Sequence, residues 1–432
     1  MLESIFIENF KSYKKQTLHL APLTLLIGAN ASGKSNAIEA FRFLSWLSEG
    51  QKLSSLKYAI NESEKLIRGN IKELFYPNET IFSLGSTLSQ KEWNILNISI
   101  TMRDDELHIC QERITQMNSS ASLYEIKKES TGLSSDVQVS YNNFVKGQYK
   151  PTISCTDQIA IMNQLVSSAT FAKKDEKSQN IIPTATNQFQ KILGETLFLD
   201  PIPAKMRNDS FPDKKIKTDG SNLAGVLYHL CEDEMLKEQL LEFVKSLPEQ
   251  YITNIICTKD KRSQVYFELE ETFGNVKKMW SAELLSDGTL RVLAVATALL
   301  SVAEGSTVVI EEIDNGIHPS RAKQLMETIT KYAKMRNLRL LLSTHNPALM
   351  DALPDSALSD VVFCYRDKLE GDSRLVRLAD LPNYPELLVQ GTLGDLVTQG
   401  ILDRFVKNPV SAEEKKQKAL DWLKTLQENN NE

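Results

Sequence analysis

Almost wholly apolar runs of five residues recur in separated parts of the chain. Residues 23–27, 306–310 and 338–342 read LTLLI, STVVI and LRLLL. Such short runs are typical of strands buried on both faces of a parallel sheet. Residues 36–47, after the first run, and 319–333, after the second, carry apolar residues at helical spacing. This alternation of strands and helices predicts a parallel α/β core.

Shorter patterns place further elements around this core. Residues 2–9 and 16–20 alternate between apolar and polar positions, which predicts two strands that lead antiparallel into the first buried run. Residues 289–303 form a very apolar helix, and 222–247 a helix with a break near Asp233. The remaining predicted strands form hairpins and cover residues 93–102 and 105–114, then 252–257, 265–270 and 279–284.

The middle of the chain differs in composition from its two ends. Residues 51–189 are rich in Ser, Asn, Gln and Lys and only weakly periodic, with 115–150 and 173–180 predicted to be mainly loop. We therefore predict a discontinuous head of residues 1–50 and 190–405 and an inserted, loop-rich lobe. The S-x-x-E capping box that begins at Ser411 predicts a C-terminal helix and tail over 406–432.

Composition narrows the class of protein. The 432 residues carry a net charge of −6, which does not indicate a nucleic-acid binder, although local basic patches remain compatible with it. The five cysteines are scattered without a C-x-x-C pair, so we predict no zinc site. Charges in the first dozen residues argue against a signal peptide, and the longest apolar run, 290–303, is too short to span a membrane. We expect a cytoplasmic protein with no membrane partner.

The strongest chemical signal lies between the first buried run and the helix after it. Residues 28–35 read GANASGKS and fit G-x-x-x-x-G-K-[ST], the phosphate-binding loop. Backbone N–H groups of such a loop surround phosphate oxygens, and the helix N-terminus adds unpaired donors and its dipole. Lys34 is then placed to reach the β- and γ-phosphates and the Ser35 hydroxyl to bind Mg²⁺. The sequence therefore predicts ATP and Mg²⁺ as ligands.

Three further segments could complete such a site. Glu311 and Glu312 end the second buried strand, where one carboxylate would hold Mg²⁺ and the other would polarise the attacking water. LSDGT precedes the apolar helix, so that the Ser286 hydroxyl and the N–H groups around Gly288 could bind an anion. His345 follows the third buried strand, where an imidazole could contact a γ-phosphate.

The order of these motifs resembles that of an ABC-type ATPase head, in the branch shared with RecF, SMC and OLD proteins. The chain is more closely similar to the bacterial "predicted ATPase" family, an AAA family of phage-defence type with the signature LSDGTLR. The segments that carry the resemblance are ENFKS (8–12), GANASGKSN (28–36), DGSNL (219–223), LSDGTLR (285–291), EEIDNGIHP (311–319), STHNPALMD (343–351) and LGDLVTQGIL (393–402). It implies a P-loop NTPase head with a mixed sheet, N-terminal antiparallel strands and an inserted α/β or helical lobe.

The resemblance also implies a role for individual residues. Glu312 and His345 correspond to the catalytic glutamate and the switch histidine, while Ser35 and Glu311 lie on the Mg²⁺ side. Residues 315–318 correspond to the D-loop, which crosses the dimer, and Ser286 and Gly288 to the signature that contacts the γ-phosphate of the opposite subunit. The expected nucleotide ligands are Gly28, Ala29, Asn30, Ala31, Ser32, Gly33, Lys34, Ser35, Asn36, Lys11, Ser286 and Gly288.

The sequence departs from the family pattern at three points. Glu311 stands where the family usually has Asp, which lengthens the reach toward Mg²⁺. Ala29 and Ala31 replace the usual Pro and Gly, and Ala31 would be strained at a positive φ. The Q-loop is not identifiable, with Gln111 and Glu112 as weak candidates. These departures leave slow hydrolysis open.

The resemblance implies a dimerising ATPase switch that controls a DNA-directed or toxic effector encoded nearby, as in anti-phage defence. A basic run of five Lys and Arg residues over 203–217 makes DNA a further candidate partner. The interpretation as an OLD-type nuclease is less favoured, because such a protein needs a Toprim domain after the switch histidine. The 87 residues after His345 contain no D-x-D pair. A RecF- or SMC-like repair ATPase and a scaffold that holds ATP with little turnover stay open, whereas a transporter subunit is least favoured.

Overall fold

The computed structural model describes residues 1–407 except 57–65, 91, 120, 133, 148, 246–250, 315–317 and 382–383. The predicted C-terminal helix from Ser411 therefore lies outside the described residues. The described residues form three sheets, of eight, six and three strands.

The largest sheet is antiparallel throughout, with the order β2-β1-β4-β5-β6-β7-β8-β9. Its strands alternate apolar and polar positions, as expected for a sheet with one face on a core and one toward solvent. The strands are β1 Leu2–Phe10, β2 Tyr13–His19, β4 Ile81–Leu88, β5 Ile95–Arg103, β6 Glu106–Thr115, β7 Ser122–Lys128, β8 Asp136–Tyr141 and β9 Thr152–Thr156.

The six-stranded sheet holds all three apolar runs of the sequence analysis and has the order β10-β14-β15-β3-β16-β17. All neighbours are parallel except β16 and β17, which form an antiparallel hairpin. The strands are β3 Leu23–Ile27, β10 Leu197–Leu199, β14 Thr307–Ile310, β15 Arg339–Ser343, β16 Val362–Arg366 and β17 Ser373–Arg377.

The smallest sheet is an antiparallel meander of β11 Ile252–Lys259, β12 Val265–Phe273 and β13 Val276–Ser281. A turn at residues 274–275 joins its last two strands, and Gly274 adopts a positive φ there. This sheet leads directly into the helix that begins with the LSDGT segment.

The helices cover both faces of the six-stranded sheet. α1 contributes Phe41 to the same buried cluster as Val309 of β14 and Ile98 of β5, so it lies between the two larger sheets. α7 contributes Leu293 to the other cluster, with Ile310 of β14. The helices are α1 Lys34–Ser48, α2 Ile161–Gln164, α3 Glu176–Gly194, α4 Pro203–Met206, α5 Leu223–Cys231, α6 Glu234–Lys245, α7 Asp287–Ser301, α8 Ala322–Met335, α9 Pro347–Asp351, α10 Asp355–Leu358, α11 Tyr384–Leu388, α12 Leu393–Thr398 and α13 Ile401–Lys407.

Most predicted elements are confirmed, including the mixed α/β class, the hairpin of β5 and β6 and the break between α5 and α6. The prediction of a loop-rich lobe over 51–189 is wrong for its larger part. This segment holds strands β4 to β9, which extend the sheet that β1 and β2 begin. Of these strands, β5 and β6 were predicted; in β4 and β7 to β9 the polar residues of the solvent face concealed the alternation. Among the described residues, no helix has the length and apolar character of a membrane span.

Candidate functional site

The loop of residues 28–35 joins β3 to α1 and follows a backbone path that few residues tolerate. Gly28 and Gly33 have φ values of 145° and 117°. A Cβ atom at Gly28 would lie 2.1 Å from the Cys364 carbonyl oxygen, and one at Gly33 would lie 2.4 Å from Ser373 Oγ. Ala31 has a φ of 61°, so the strain expected for an alanine at this position is present. Tertiary contacts therefore fix the loop as well as its own sequence.

Side chains from β2, β16 and β17 hold the carbonyl groups of this loop from behind. The Tyr13 hydroxyl donates to the Gly33 carbonyl at 3.0 Å. Ser373 Oγ and Cys364 Sγ both donate to the Ser32 carbonyl, at 2.6 and 3.3 Å. Burial raises the pKa of the Tyr13 hydroxyl and of the Cys364 thiol, so both stay protonated and remain donors. No local sequence signal identifies these three residues, since they meet the loop only in the folded chain.

Lys34 lies inside the loop, with its ammonium group directed back at the loop carbonyls. Its Nζ donates to the carbonyl oxygens of Gly28 at 2.6 Å and Ala29 at 3.1 Å. Burial lowers the pKa of Lys34, and the carboxylates of Glu312 and Asp314 act against this shift. These two carboxylates therefore lie within electrostatic reach of Lys34.

The neighbours of Lys34 complete the phosphate-facing surface. Ser35 is partly buried in the first turn of α1, while Ala29 and Asn30 are exposed and Ser32 is buried. Asn36 donates from Nδ2 to Ser12 Oγ at 2.8 Å, which ties α1 to the loop between β1 and β2. The loop thus presents backbone N–H groups and a helix N-terminus, the combination that binds phosphate.

Glu311 follows β14 directly, but its carboxylate is engaged by a residue of α1. Its Oε1 accepts a hydrogen bond from Arg42 Nη2 at 2.7 Å, and both side chains are mostly buried. Burial raises the pKa of Glu311, the Arg42 guanidinium lowers it, and the Asp200 carboxylate raises it. The sequence predicted Glu311 as a Mg²⁺ ligand but did not anticipate Arg42.

Glu312 is exposed and adopts a strained backbone conformation. Its φ is 46°, and its N–H donates to Ser343 Oγ at 3.0 Å across the sheet edge. Positive φ at a residue other than glycine costs of order 1–3 kcal/mol and is concentrated at functional sites. The contact with Ser343 at the end of β15 fixes the direction of the Glu312 backbone.

His345 lies two residues after Ser343 and is about half exposed, with Nδ1 3.7 Å from Asp314 Oδ2. The buried Asp314 also accepts a hydrogen bond from the Thr344 hydroxyl. Glu312 and His345 are therefore connected through the ends of β14 and β15. Residues 315–317 of the expected D-loop lie outside the described residues, while His318 is exposed and caps the turn that follows it.

Ser286 and Gly288 stand at the start of α7, as the sequence predicted. Ser286 Oγ accepts a hydrogen bond from the Thr289 N–H at 3.1 Å and is the N-cap of the helix. Ser286 is exposed, whereas Gly288 is buried. Arg207 braces the segment, because it donates to Asp287 Oδ1 at 2.6 Å and to the Leu285 carbonyl at 3.0 Å.

Lys11 lies in a cleft of about 610 Å³ beside the loop, which Asn36 also lines. Its ammonium pairs with the buried carboxylate of Glu39 and donates to the Arg68 carbonyl at 2.9 Å. Arg68 Nε donates to the same carboxylate at 2.5 Å. Glu39 on α1 thus holds both cations at the edge of the cleft.

The two weak Q-loop candidates, Gln111 and Glu112, are placed elsewhere. Both belong to β6, in the eight-stranded sheet. Glu112 is fully buried and accepts hydrogen bonds from the N–H groups of Ile161 and Met162 at 2.6 and 2.7 Å, so it caps α2. These two candidates are wrong. Asp200 directly follows β10, and β10 pairs with β14, the strand that precedes Glu311. Sequence analysis did not identify Asp200 as a site residue.

The two predicted Mg²⁺ ligands, Ser35 and Glu311, both carry oxygen donors. Ser35 lies in the first turn of α1, and Glu311 directly follows β14. Mg²⁺ prefers such oxygen ligands and usually takes one or two carboxylates together with substrate phosphates. In the described part of the chain, no group of three or more His, Cys, Asp or Glu residues forms a ready metal cluster.

The chain is similar to a known protein family and to individual proteins. A family model described as "AAA domain, putative AbiEii toxin, Type IV TA system" matches residues 23–99 and 173–351, together more than half of the chain. An ATP/GTP phosphatase of Helicobacter pylori is 22% identical over 382 residues, which cover 85% of this chain and 91% of that protein. The DNA replication and repair protein RecF of Caldanaerobacter subterraneus subsp. tengcongensis is 38% identical over 85 residues, covering 19% of this chain and 23% of RecF.

Solved structures with a similar chain path include SMC heads. The Smc head bound to the C-terminal winged-helix domain of ScpA has 14% identity and a TM-score of 0.46, covering 87% of this chain and 96% of its own. The SMC head domain from Thermotoga maritima has 11% identity and a TM-score of 0.39, covering 87% of this chain and 98% of its own. The extent of the family match decides the assignment: the chain belongs to the family described as AAA domain, putative AbiEii toxin, Type IV TA system, and it is an ATPase.

Proposed function

We propose that this ATPase works as a nucleotide-driven switch between two copies of the chain. The observation that carries the proposal is the convergence of Lys34, Glu312 and Asp314 at one edge of the six-stranded sheet. In this arrangement Lys34 and the loop N–H groups hold the phosphates, and Ser35 and Glu311 would hold Mg²⁺. When bound, Mg²⁺ neutralises charge on the phosphates.

Glu312 orients and polarises the attacking water in this proposal. The strained backbone of Glu312, held by Ser343, supports this role, because such strain is concentrated at functional sites. His345 contacts the γ-phosphate, and the buried Asp314 orients its ring. Hydrolysis then removes the phosphate that these groups share, and the closed state loses contacts.

Ser286 serves the nucleotide of the second copy. It begins α7, which the chain enters from the three-stranded sheet, whereas the P-loop extends from the six-stranded sheet. Its exposed position and the helix N-terminus behind it leave an anion site on the surface. A two-fold dimer would form two identical composite sites, because isologous contacts occur in pairs.

The experiment that tests this function is complementation. Ser286→Arg and Lys34→Ala are each expected to abolish ATPase activity alone, and a mixture is expected to recover part of it. Recovery follows because a heterodimer contains one site with both intact halves. A mixture of each mutant with a Lys34→Ala/Ser286→Arg double mutant is the matched control, since no intact composite site can form there. No recovery despite proven heterodimers contradicts the composite site.

The setting of the switch is also part of the proposal. The family description, with its toxin and type IV toxin–antitoxin system, and the LSDGTLR resemblance support an effector encoded nearby, in anti-phage defence. The effector would respond to closure of the dimer, because ATP favours the closed state. Deletion of the neighbouring gene is expected to abolish protection against phage while the purified ATPase keeps its activity.

A second candidate function is DNA binding, supported by exposed lysines and the similarity to RecF. Lys214, Lys215 and Lys217 are exposed, whereas Lys205 pairs with Asp219 and Arg207 with Asp287. The basic run predicted from sequence is therefore partly used within the chain. If these three lysines contact phosphates, DNA affinity falls steeply with salt, and their replacement by Gln reduces that slope. DNA binding that is independent of salt contradicts this role.

A further inference from the structure

Arg42 and Glu311 form an ion pair at the place where a metal ligand is expected. The Nη2 and Oε1 atoms are 2.7 Å apart, with 15% and 19% of the two side chains exposed. Arg42 lies seven residues after Ser35 on α1, which corresponds to about 10 Å along a helix axis. With Oε1 bonded to Arg42, the Glu311 carboxylate is already engaged where a metal beside the Ser35 hydroxyl would need it.

Asp200 lies beside Glu311 and offers Arg42 a second partner. β10 and β14 are parallel, with Phe198 opposite Val309 and Leu199 opposite Ile310. Beyond the last pair, the Glu311 N–H donates to the Leu199 carbonyl at 3.1 Å and so continues the ladder. Because side chains alternate along a strand, Asp200 and Glu311 point to the face on which Phe198 and Val309 meet α1. The two carboxylates therefore face the same helix.

The position of Arg42 between these strand ends is fixed by packing. Its guanidinium carbon lies 5.3 Å from the ring centroid of Phe198, two residues before Asp200. Partial desolvation raises the pKa of Asp200, the charges of Arg42 and Arg291 lower it, and the charge of Glu312 raises it. Arg42 also lowers the pKa of Glu311. One guanidinium thus stabilises two neighbouring carboxylates that repel each other.

We propose that Arg42 competes with Mg²⁺ for Glu311 and transfers to Asp200 when Mg²⁺ and nucleotide bind. The inference rests on the proposed function and adds two residues to it. With Glu311 on Arg42, the site lacks its metal-side carboxylate. Binding of the metal draws Glu311 toward Ser35, and Asp200 then keeps the buried guanidinium paired, which avoids an uncompensated charge.

The length of the Glu311 side chain suits this exchange of partners. A longer side chain can reach either Arg42, deeper along α1, or the metal near Ser35, whereas an aspartate has less reach. The departure from the family's usual Asp then has a consequence: it makes the metal-side carboxylate switchable. Arg42 and Asp200 are positioning residues in this scheme, since they act on the metal through Glu311.

The test is a Mg²⁺ titration of nucleotide binding by the full-length chain, with the non-hydrolysable analogue AMP-PNP and calorimetric detection. The measured quantity is the Mg²⁺ concentration at half-maximal stimulation of binding. We expect Arg42→Gln to lower it about two- to fivefold, the range of a partly exposed ion pair. Asp200→Asn is expected to raise it by a similar factor, because Arg42 loses its alternative partner.

The double mutant distinguishes exchange from a direct role of Asp200. Arg42→Gln/Asp200→Asn is expected to match Arg42→Gln alone, since Asp200 acts only through Arg42. Arg42→Lys, which keeps a charge but loses the planar fork, is expected to give an intermediate value if Arg42→Gln fails to fold. The matched control is Arg377→Gln, for which no shift is expected. Arg377 is the last residue of β17 and pairs with Asp360 and Asp380.

Three results would overturn the inference. A higher half-maximal Mg²⁺ concentration in Arg42→Gln means that Arg42 helps Glu311 to bind metal. A shift caused by Asp200→Asn in the Arg42→Gln background means that Asp200 acts on the metal directly. If wild type binds AMP-PNP without any Mg²⁺ dependence, the proposed function fails together with the inference, whereas the first two results leave that function intact.

Discussion

The buried carboxylate of Asp314 accepts a hydrogen bond from the Thr344 hydroxyl at 2.6 Å, which joins the segments after β14 and β15. Both residues are almost inaccessible, at 7% and 1% exposure. Glu312 lies two residues before Asp314, and His345 directly follows Thr344. The bond thus connects the two candidate catalytic residues through the core rather than through solvent.

Thr344→Val removes this donor while keeping the shape of the side chain. We expect a loss of about 1–3 kcal/mol in the free energy of unfolding, because a buried carboxylate loses a partner. ATPase activity is expected to fall more than ATP affinity, since Glu312 and His345 lose their alignment. Urea unfolding, ATPase assays and calorimetry measure the three quantities. Thr344→Ser is the control that keeps the hydroxyl, and equal activity of Thr344→Val and wild type would contradict the link.

Lys34→Ala is expected to weaken ATP binding in the presence of Mg²⁺. The ammonium would exchange its bonds to the Gly28 and Ala29 carbonyls for phosphate oxygens. A hydrogen bond between charged groups contributes about 1.5–3 kcal/mol, so affinity should fall roughly ten- to hundredfold. Calorimetry with ATP measures the change, and Lys217→Ala, an exposed lysine outside the loop, is the control. Unchanged affinity in Lys34→Ala would show that the loop binds nucleotide without its lysine.

Glu312→Gln is expected to keep ATP binding and to stop hydrolysis. The amide has the size of the carboxylate but cannot polarise the attacking water. The mutant should accumulate in an ATP-bound dimer, which light scattering at saturating ATP detects. Hydrolysis at the wild-type rate would exclude Glu312 as the catalytic residue, and a monomer under these conditions would exclude the dimer. If Glu311→Gln alone stops turnover and spares binding, the two glutamates have exchanged roles.

Glu112 should make stability depend on pH. Burial raises its pKa to about 7, against the effect of hydrogen bonds from Tyr124, Ile161 and Met162. Since the folded pKa lies above the unfolded one, near 4.5, its stabilising contribution is complete below pH 4.5 and is lost as pH rises through 7. Urea unfolding at several pH values should show wild type losing stability relative to Glu112→Gln over this window. Parallel profiles of the two proteins would contradict the assignment.

Much of the fold follows from local patterns. The parallel core was predictable because β3, β14 and β15 are short and almost wholly apolar, a pattern typical of strands buried on both faces of a sheet. The strands β4 and β7 to β9 were missed because their solvent faces are polar, so that their composition resembles that of loops. Their membership in the first sheet depends on pairing of β4 with β1, more than seventy residues apart in sequence.

Sequence alone predicted a phosphate-binding loop at Gly28 and singled out Lys34 and Glu312, because motif and flanking elements are contiguous. Only the tertiary structure brought Cys364 and Ser373 behind that loop and placed Arg42 and Asp200 at Glu311. These residues come from distant elements and have no pattern of their own. The physical reason is that hydrogen bonds and ion pairs depend on distance in space, whereas periodicity and motifs report only on neighbours along the chain.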